Sequence, residues 1–187
     1  MGDPARRRAT YEELIAVPDT KVAEIIDGEL YVSPRPASPH AHAASTLGMD
    51  LGGAFHRGRG GPGGWWILDE PELHLGSDVL VPDLAGWRRE RMPQVPRTAA
   101  FELPPDWLAE VLSPSTEKID RARKLSVYAR ARVSHVWLVD PLLTTIEVLR
   151  LDGDTFRIVK VHAGDESARL EPFEAIELEV GALWLKG

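Results

Sequence analysis

The chain has 187 residues, of which 43% are hydrophobic, so it is long enough to form one domain with a substantial core. It has no cysteine, which excludes disulfides and thiolate chemistry. Its formal net charge of -7 argues against broad, nonspecific binding to nucleic acid.

The same survey predicts the location and domain plan. No apolar run reaches the roughly 18–20 residues that a membrane span requires. The opening residues, MGDPARRRAT, lack the apolar segment of a signal peptide. We therefore predict a cytoplasmic protein, with a disordered segment at 1–9 and a single domain at 10–187.

The first elements in chain order are a short helix and a hairpin. Thr10 and Glu13 have capping-box spacing, which predicts a helix from Tyr11 to about Ala16. Strands at Lys21–Ile26 and Glu29–Ser33 flank an Asp-Gly pair, a strong hairpin signal.

A longer helix and several strands follow. Apolar residues at helical spacing predict a helix from about Pro39 to His56, with Ser38 as its N-cap. The segment Gly58–Gly64 is glycine-rich but lacks a following Lys-Ser/Thr, so it is a connector rather than a phosphate-binding loop. Strands are then predicted at Trp65–Leu68, Glu72–Leu75 and Asp78–Trp87.

A strand, a helix and a second strand form the central unit. The apolar run Trp107–Leu112 predicts a buried strand, and Val133–Asp140 predicts its partner. The helix between them begins near Asp120, or earlier at Ser115 or Thr116. A second Asp-Gly hairpin is predicted from 144–151 and 155–162.

Four charged residues of this pattern need a joint explanation. Glu24, Asp83 and Glu110 lie in or beside predicted strands, and Lys124 lies on the helix after Glu110. Each alone has an ordinary explanation, because charged residues are mostly exposed. Carboxylates brought together by adjacent strands repel each other, however, and a hard cation such as Mg²⁺ relieves that repulsion. Such a cation activates water, and a nearby ammonium stabilises phosphoryl charge.

The order Pro82-Asp83, Glu110 and then a lysine resembles the PD-(D/E)XK nuclease superfamily. More of the chain is similar to the Uma-two family, which is described as restriction endonucleases. The stretches that carry this resemblance occur in the family's order within residues 10–151: Glu24-Ile-Ile-Asp-Gly-Glu-Leu, Ser33-Pro followed by His40 and His42, Val81-Pro-Asp-Leu, Glu110-Val-Leu-Ser-Pro-Ser-Thr, Asp120-x3-Lys124-x3-Tyr128 and Val136-Trp-Leu-Val-Asp-Pro141.

The resemblance implies an α/β (α+β) fold: a restriction-endonuclease-like core with a mixed β-sheet flanked by helices, plus the N-terminal hairpin. It makes 10–187 a PD-(D/E)XK nuclease-like domain. It assigns Asp83 and Glu110 as ligands of Mg²⁺, with Mn²⁺ as a substitute, and Glu24 as an auxiliary acid.

The lysine departs from the parent motif. There it follows the glutamate by two residues on the same strand, a position that Leu112 occupies here. The resemblance suggests that the lysine has moved to Lys124 on the next helix. Asp120, Lys124 and Tyr128 are spaced four residues apart, so they share a helix face, and the outer two are expected to orient the lysine.

Candidate substrate contacts are less specific. Five arginines are candidates for phosphate contacts: Arg88, Arg89, Arg91, Arg121 and Arg123. Trp87, close to Asp83 in sequence, is a weak candidate for base stacking. His40 and His42 are two residues apart on a predicted helix, so they point to different faces and do not form a shared metal site.

These residues predict an endonuclease that hydrolyses DNA phosphodiester bonds with Mg²⁺. The alternative is a catalytically inactive module of the same fold that binds nucleic acid or a protein partner. A third reading is a homo-oligomeric scaffold paired through a strand edge. A homodimer would suit symmetric duplex cutting.

Overall fold

The computed structural model describes residues 7–186, and residues 1–6 of the predicted disordered segment lie outside this range. Of the rest of that segment, Ala9 donates its backbone N–H to the carbonyl of Gly28 at 2.8 Å. Within residues 7–186, no helix is long and apolar enough to cross a membrane.

Thirteen strands are present in the described residues. In chain order they are β1 (Lys21–Ile26), β2 (Glu29–Pro34), β3 (Trp65–Asp69), β4 (Glu72–Leu75), β5 (Asp78–Leu80), β6 (Leu84–Arg88), β7 (Ala100–Phe101), β8 (Trp107–Val111), β9 (His135–Asp140), β10 (Thr145–Asp152), β11 (Thr155–Ala163), β12 (Ser167–Ala168) and β13 (Leu178–Glu179).

Two main sheets are built from these strands. The larger has the order β11-β10-β9-β8-β6-β3, and only β8 and β9 run parallel. The smaller has the order β2-β1-β5-β4-β7, with β4 and β7 parallel. A two-stranded pair, β12-β13, completes the set.

The helices are few. Helix α1 spans Tyr11–Ile15, and α2 spans Ser38–Leu51 and continues as a π-helical segment at Gly52–His56. The central helix consists of α3 (Glu117–Ile119), a π-helical segment at Asp120–Lys124 and α4 (Leu125–Arg130) in succession. A 3-10 turn at Val180–Leu183 lies near the end of the chain.

The larger sheet has an apolar cluster on each face, because side chains alternate along each strand. Trp107, Ala109 and Val111 of β8 face a cluster that includes residues of α2 and the C-terminal segment. Leu108 and the adjoining Leu112 face the other cluster, which includes residues of α4 and the smaller sheet. The predicted mixed-sheet α+β class is confirmed.

The predicted strand Asp78–Trp87 is the main correction. It divides at residues 81–83 into β5 and β6, which belong to different sheets. Pro82 has no backbone N–H and cannot continue a central ladder, so the chain leaves one sheet and enters the other there. Asp83 therefore lies at the crossing between the sheets.

Smaller corrections concern element ends. Ala37, not Ser38, is the N-cap of α2, and Thr116 precedes the central helix, so the earlier of the predicted starts is correct. The second hairpin turns at residues 153–154 rather than at 152–153, since Asp152 pairs with Thr155. The first hairpin is confirmed: Asp27 and Gly28 have φ of 52° and 82°, as a type I′ turn requires.

Candidate active site

Glu110 is a buried carboxylate in the middle of the larger sheet. Its strand β8 lies between β6 and β9, and the residue is 3% exposed. By strand alternation it shares a face with Leu108 and Leu112, towards the central helix. The Tyr128 hydroxyl donates to Glu110 Oε1. A charge in this position would be costly without such partners.

Lys124 is the cation at the centre of the site. Its Nζ lies 2.9 Å from Glu24 Oε1, 3.3 Å from Glu110 Oε2 and 3.2 Å from Asp120 Oδ1. The residue is only 5% exposed. The helix after β8 therefore places the ammonium of Lys124 beside Glu110. In the parent motif the lysine lies on the same strand as the glutamate.

The central helix is locally wider where it carries these groups. Asp120 and Lys124 begin and end the π-helical segment, and both are buried. Single π-helical turns inside α-helices are frequent at functional sites because they shift side-chain positions relative to a regular helix. Here the segment keeps Asp120 and Lys124 in contact, and Tyr128 of the following turn reaches Glu110.

Glu24 joins the site from the smaller sheet. It lies on β1 and is 6% exposed. Its Oε1 accepts the backbone N–H of Val81 at 2.9 Å, and the same oxygen contacts the ammonium of Lys124. The site is thus closed by an acid from a different sheet from that of Glu110.

Asp83 is fixed at the point where the chain passes between the sheets. Its Oδ2 accepts the backbone N–H of Val111 at 2.7 Å. Its Oδ1 lies 3.2 Å from Nε2 of His40. The break at Pro82 turns the carboxylate towards the end of β8, where Glu110 is one residue from Val111.

His40 is a site residue that the sequence reasoning did not assign. It lies in the first turn of α2 and lines the same cleft as Asp83 and Glu110. Among the described residues its Nδ1 has no hydrogen-bond partner. His42 instead contacts the carbonyl of Ala182, which confirms that the two histidines point apart. The only available signal was the position of His40 after the Ser33-Pro stretch.

Burial and neighbouring charges shift the pKa values of Glu110, Asp120 and Lys124. Burial raises the pKa of Glu110 well above its usual value, and Lys124 offsets only part of this shift. Burial also raises the pKa of Asp120. For Lys124, burial alone would lower the pKa, but Glu110, Glu24 and Asp120 outweigh it and hold the pKa well above its usual value.

Two further groups titrate abnormally. Burial, followed by the charge of Glu110, raises the pKa of the Tyr128 hydroxyl, which therefore stays protonated. Burial would lower the pKa of His40, but the hydrogen bond to Asp83 and the charges of Asp83 and Asp120 outweigh burial and raise it.

Except for Tyr128, these groups border one cleft of about 280 Å³. Five carboxylates line it: Glu24, Glu70, Asp83, Glu110 and Asp120. Two permanently charged cations, Arg35 and Lys124, face them. With these groups ionised the cleft carries an excess of negative charge, which protonation of Glu110 or Asp120 reduces.

The arginines predicted to contact phosphate do not line this cleft. Arg88 and Arg89 lie over the rings of Trp65 and Trp66, with Cζ 4.5 Å and 3.9 Å from the ring centroids. Arg91 pairs with Asp106 at 2.8 Å. Their contact with nucleic acid stays a prediction.

The remaining candidates are on the central helix and in the core. Arg121 binds both carboxylate oxygens of Glu147, at 2.5 and 3.0 Å, and Arg123 lies 3.9 Å from Asp27. Trp87 is fully buried and stacks on Phe101, so the predicted role in base stacking is wrong.

The fold matches that of a protein whose crystal structure is solved. The crystal structure described as "a putative nuclease belonging to DUF820 from Anabaena variabilis" aligns with a TM-score of 0.75 and 22% identity, covering 94% of this chain and 97% of that one. At this identity the likeness shows the fold, which is that of a nuclease-like α+β protein.

The sequence also matches a protein family. The Uma2 family, described as "Putative restriction endonuclease", matches residues 8–181. The chain therefore belongs to the Uma2 family, and the resemblance found in the sequence is confirmed. No curated protein matches the chain. The family description supports a nuclease function in general terms.

Proposed function

We propose that the protein is a metal-dependent endonuclease that hydrolyses phosphodiester bonds of DNA. The observation that carries this proposal is the charge of the cleft, where five carboxylates face two cations. An anionic phosphodiester would be repelled by such a cleft unless a divalent cation entered with it. The family description supports the reaction class.

The residues of the cleft suit a hard cation. Asp83 and Glu110 would hold Mg²⁺, or Mn²⁺ in its place, through carboxylate oxygens. Residues 7–186 contain no group of three or more His, Asp or Glu side chains arranged to hold a metal. Protein-bound magnesium is usually held by only one or two carboxylates, because water and substrate phosphate oxygens complete its coordination. When bound, the cation would neutralise phosphate charge and make attacking water more acidic.

Lys124 supplies charge rather than base catalysis. Its raised pKa keeps the amine protonated at neutral pH, so it cannot accept a proton from water. An ammonium between Glu24 and Glu110 can instead donate hydrogen bonds to a phosphoryl oxygen that gains charge as water attacks phosphorus and the ester oxygen departs. Tyr128 and Asp120 position Glu110 and Lys124 for this role.

The direct test is cleavage of single- and double-stranded DNA in Mg²⁺, Mn²⁺ and EDTA. Wild-type protein should cut only with metal, and Asp83→Ala should lose the activity. Asp152→Asn, a change at an exposed carboxylate on β10, is the matched control. Cutting that persists equally in Asp83→Ala would refute the assignment of the site.

The second candidate is a module that keeps the nuclease fold but binds nucleic acid or protein without cutting. The observation favouring it is that the Lys124 ammonium already contacts three carboxylates of the cleft. DNA binding without metal-dependent cleavage would support this alternative. A homodimer, a cytoplasmic location and one PD-(D/E)XK nuclease-like domain at 10–187 stay predictions.

A further inference from the structure

Arg35 is the accessible cation of the cleft. It lies between Pro34 and Pro36 in the loop that joins β2 to α2, and its side chain is 50% exposed. Its Nε and Nη2 donate to the carbonyl of Asp19 at 3.3 and 3.0 Å, and its Nη1 donates to Glu70 at 3.3 Å. The two prolines and these bonds hold the guanidinium at the rim.

The guanidinium keeps donors to spare. Of its five N–H groups, the contacts within the described residues engage three, which leaves two for an anion. Lys124, the other permanent cation of the cleft, is nearly buried and surrounded by carboxylates. An anion entering from solvent therefore meets Arg35 first.

A chain of hydroxyls lines the same cleft. Ser113 Oγ lies 3.0 Å from Ser115 Oγ and 3.0 Å from Thr116 Oγ1. Thr116 also hydrogen-bonds the Asp120 carboxylate, to which it must donate, and this bond lowers the Asp120 pKa against the larger effect of burial. Ser113 must then donate to Thr116, and the exposed Ser115 at the other end of the chain donates to Ser113, so Ser115 binds a ligand by exchanging that hydrogen bond for one to the ligand.

The geometry points to a phosphate subsite formed by Arg35 and Ser115, which would hold the backbone phosphate next to the one that is cut. This inference rests on the proposed nuclease function and adds the substrate-anchoring group. Glu70 holds Arg35 in the absence of a ligand. Their exposed ion pair is weak in water, so a phosphate would compete with Glu70 for the Arg35 guanidinium.

Two substitutions with opposite expected effects test the subsite. Arg35→Gln should weaken DNA binding roughly tenfold, since one charge-assisted phosphate contact is lost. Glu70→Gln should strengthen binding, because it frees the Arg35 guanidinium and removes a negative charge that repels the phosphate. Ser115→Ala should weaken binding less than Arg35→Gln. A purely structural Arg35–Glu70 pair would not give opposite signs.

Binding is measured by fluorescence anisotropy of a labelled 20-nucleotide strand and of its duplex, in Ca²⁺, with gel analysis to show that the DNA is intact. The slope of log affinity against log salt should become shallower in Arg35→Gln by about 0.9 on the duplex or about 0.7 on the single strand. Arg157→Gln, an exposed change on β11, should leave both slopes unaltered.

The outcomes separate the subsite from the nuclease proposal. Binding that depends on Arg35 but comes without cleavage in Mg²⁺ would support the subsite and refute the endonuclease. If the wild type cleaves DNA but the slope of log affinity against log salt is the same in wild type and Arg35→Gln, the subsite alone is overturned. Wild-type protein that binds neither DNA at low salt would overturn the subsite as well.

Discussion

The ammonium of Lys124 lies 3.3 Å from Oε2 of Glu110, although fourteen positions and a change of secondary structure separate the two residues. The parent motif places its lysine two residues after the glutamate on one strand, where this chain has the buried Leu112. Here the tertiary structure brings a lysine from the following helix to the glutamate instead.

Removing the Lys124 charge should destabilise the protein strongly. Lys124→Met leaves the buried acids Glu24, Glu110 and Asp120 without their counter-ion, and loss of one partner of a buried ion pair typically costs roughly 3–5 kcal/mol of unfolding free energy. Urea denaturation in EDTA at pH 8 measures this. Lys160→Met, at an exposed position on β11, should change the unfolding free energy little.

Neutralising Glu110 should change the stability of the protein in a way that depends on pH. Its folded pKa is raised above the ordinary value of 4.5, so its protonation stabilises the fold below about pH 4.5, and that contribution is lost as pH rises through the folded pKa. Glu110→Gln mimics the protonated form and still accepts from Tyr128. Its stability relative to wild type should therefore increase as pH rises.

Paired urea titrations of wild type and Glu110→Gln at several pH values, all in EDTA, check this sign. A difference in unfolding free energy that stays constant with pH would contradict the raised pKa. The same variant should lose metal-dependent cleavage, since an amide is a poor replacement for a carboxylate ligand of Mg²⁺.

Metal activation should also depend on pH. Because burial raises the Glu110 pKa, a proton competes with the cation for this carboxylate. The Mg²⁺ concentration for half-maximal cleavage should fall as pH rises, by up to about tenfold per unit while Glu110 is still titrating. Magnesium titrations of cleavage from acidic to alkaline pH measure this, and a half-maximal concentration independent of pH throughout would argue against Glu110 as a ligand.

Arg121 should act on stability rather than on DNA binding. Its guanidinium binds both oxygens of Glu147 on β10 and one of Glu117, which fastens the π-helical segment to the larger sheet. Arg121→Gln should lower the unfolding free energy by about 1 kcal/mol, a value reduced by partial exposure of the pair. The salt dependence of DNA binding should not change, and a slope shallower by about one would restore Arg121 as a phosphate contact.

Local sequence patterns predicted most of the secondary structure. Asp27-Gly28 specified the first turn because those residues tolerate positive φ, and the Thr10–Glu13 capping box specified the start of α1. The continuous strand at 78–87 was wrong because periodicity cannot show a change of sheet. Pro82 was the signal for it, since a proline cannot sit in the middle of a ladder.

The family, the fold class and a short set of charged residues follow from sequence: Glu24, Asp83 and Glu110 in or beside apolar segments, and Asp120 and Lys124 on one helix face. Such residues can be chosen from sequence because a charge within an apolar run needs a partner. Which partners these residues have depends on how the chain folds in three dimensions. The tertiary structure placed His40 beside Asp83, left the predicted phosphate-binding arginines outside the cleft and put Arg35 at its rim. These contacts join elements far apart in the chain, and no local pattern records them.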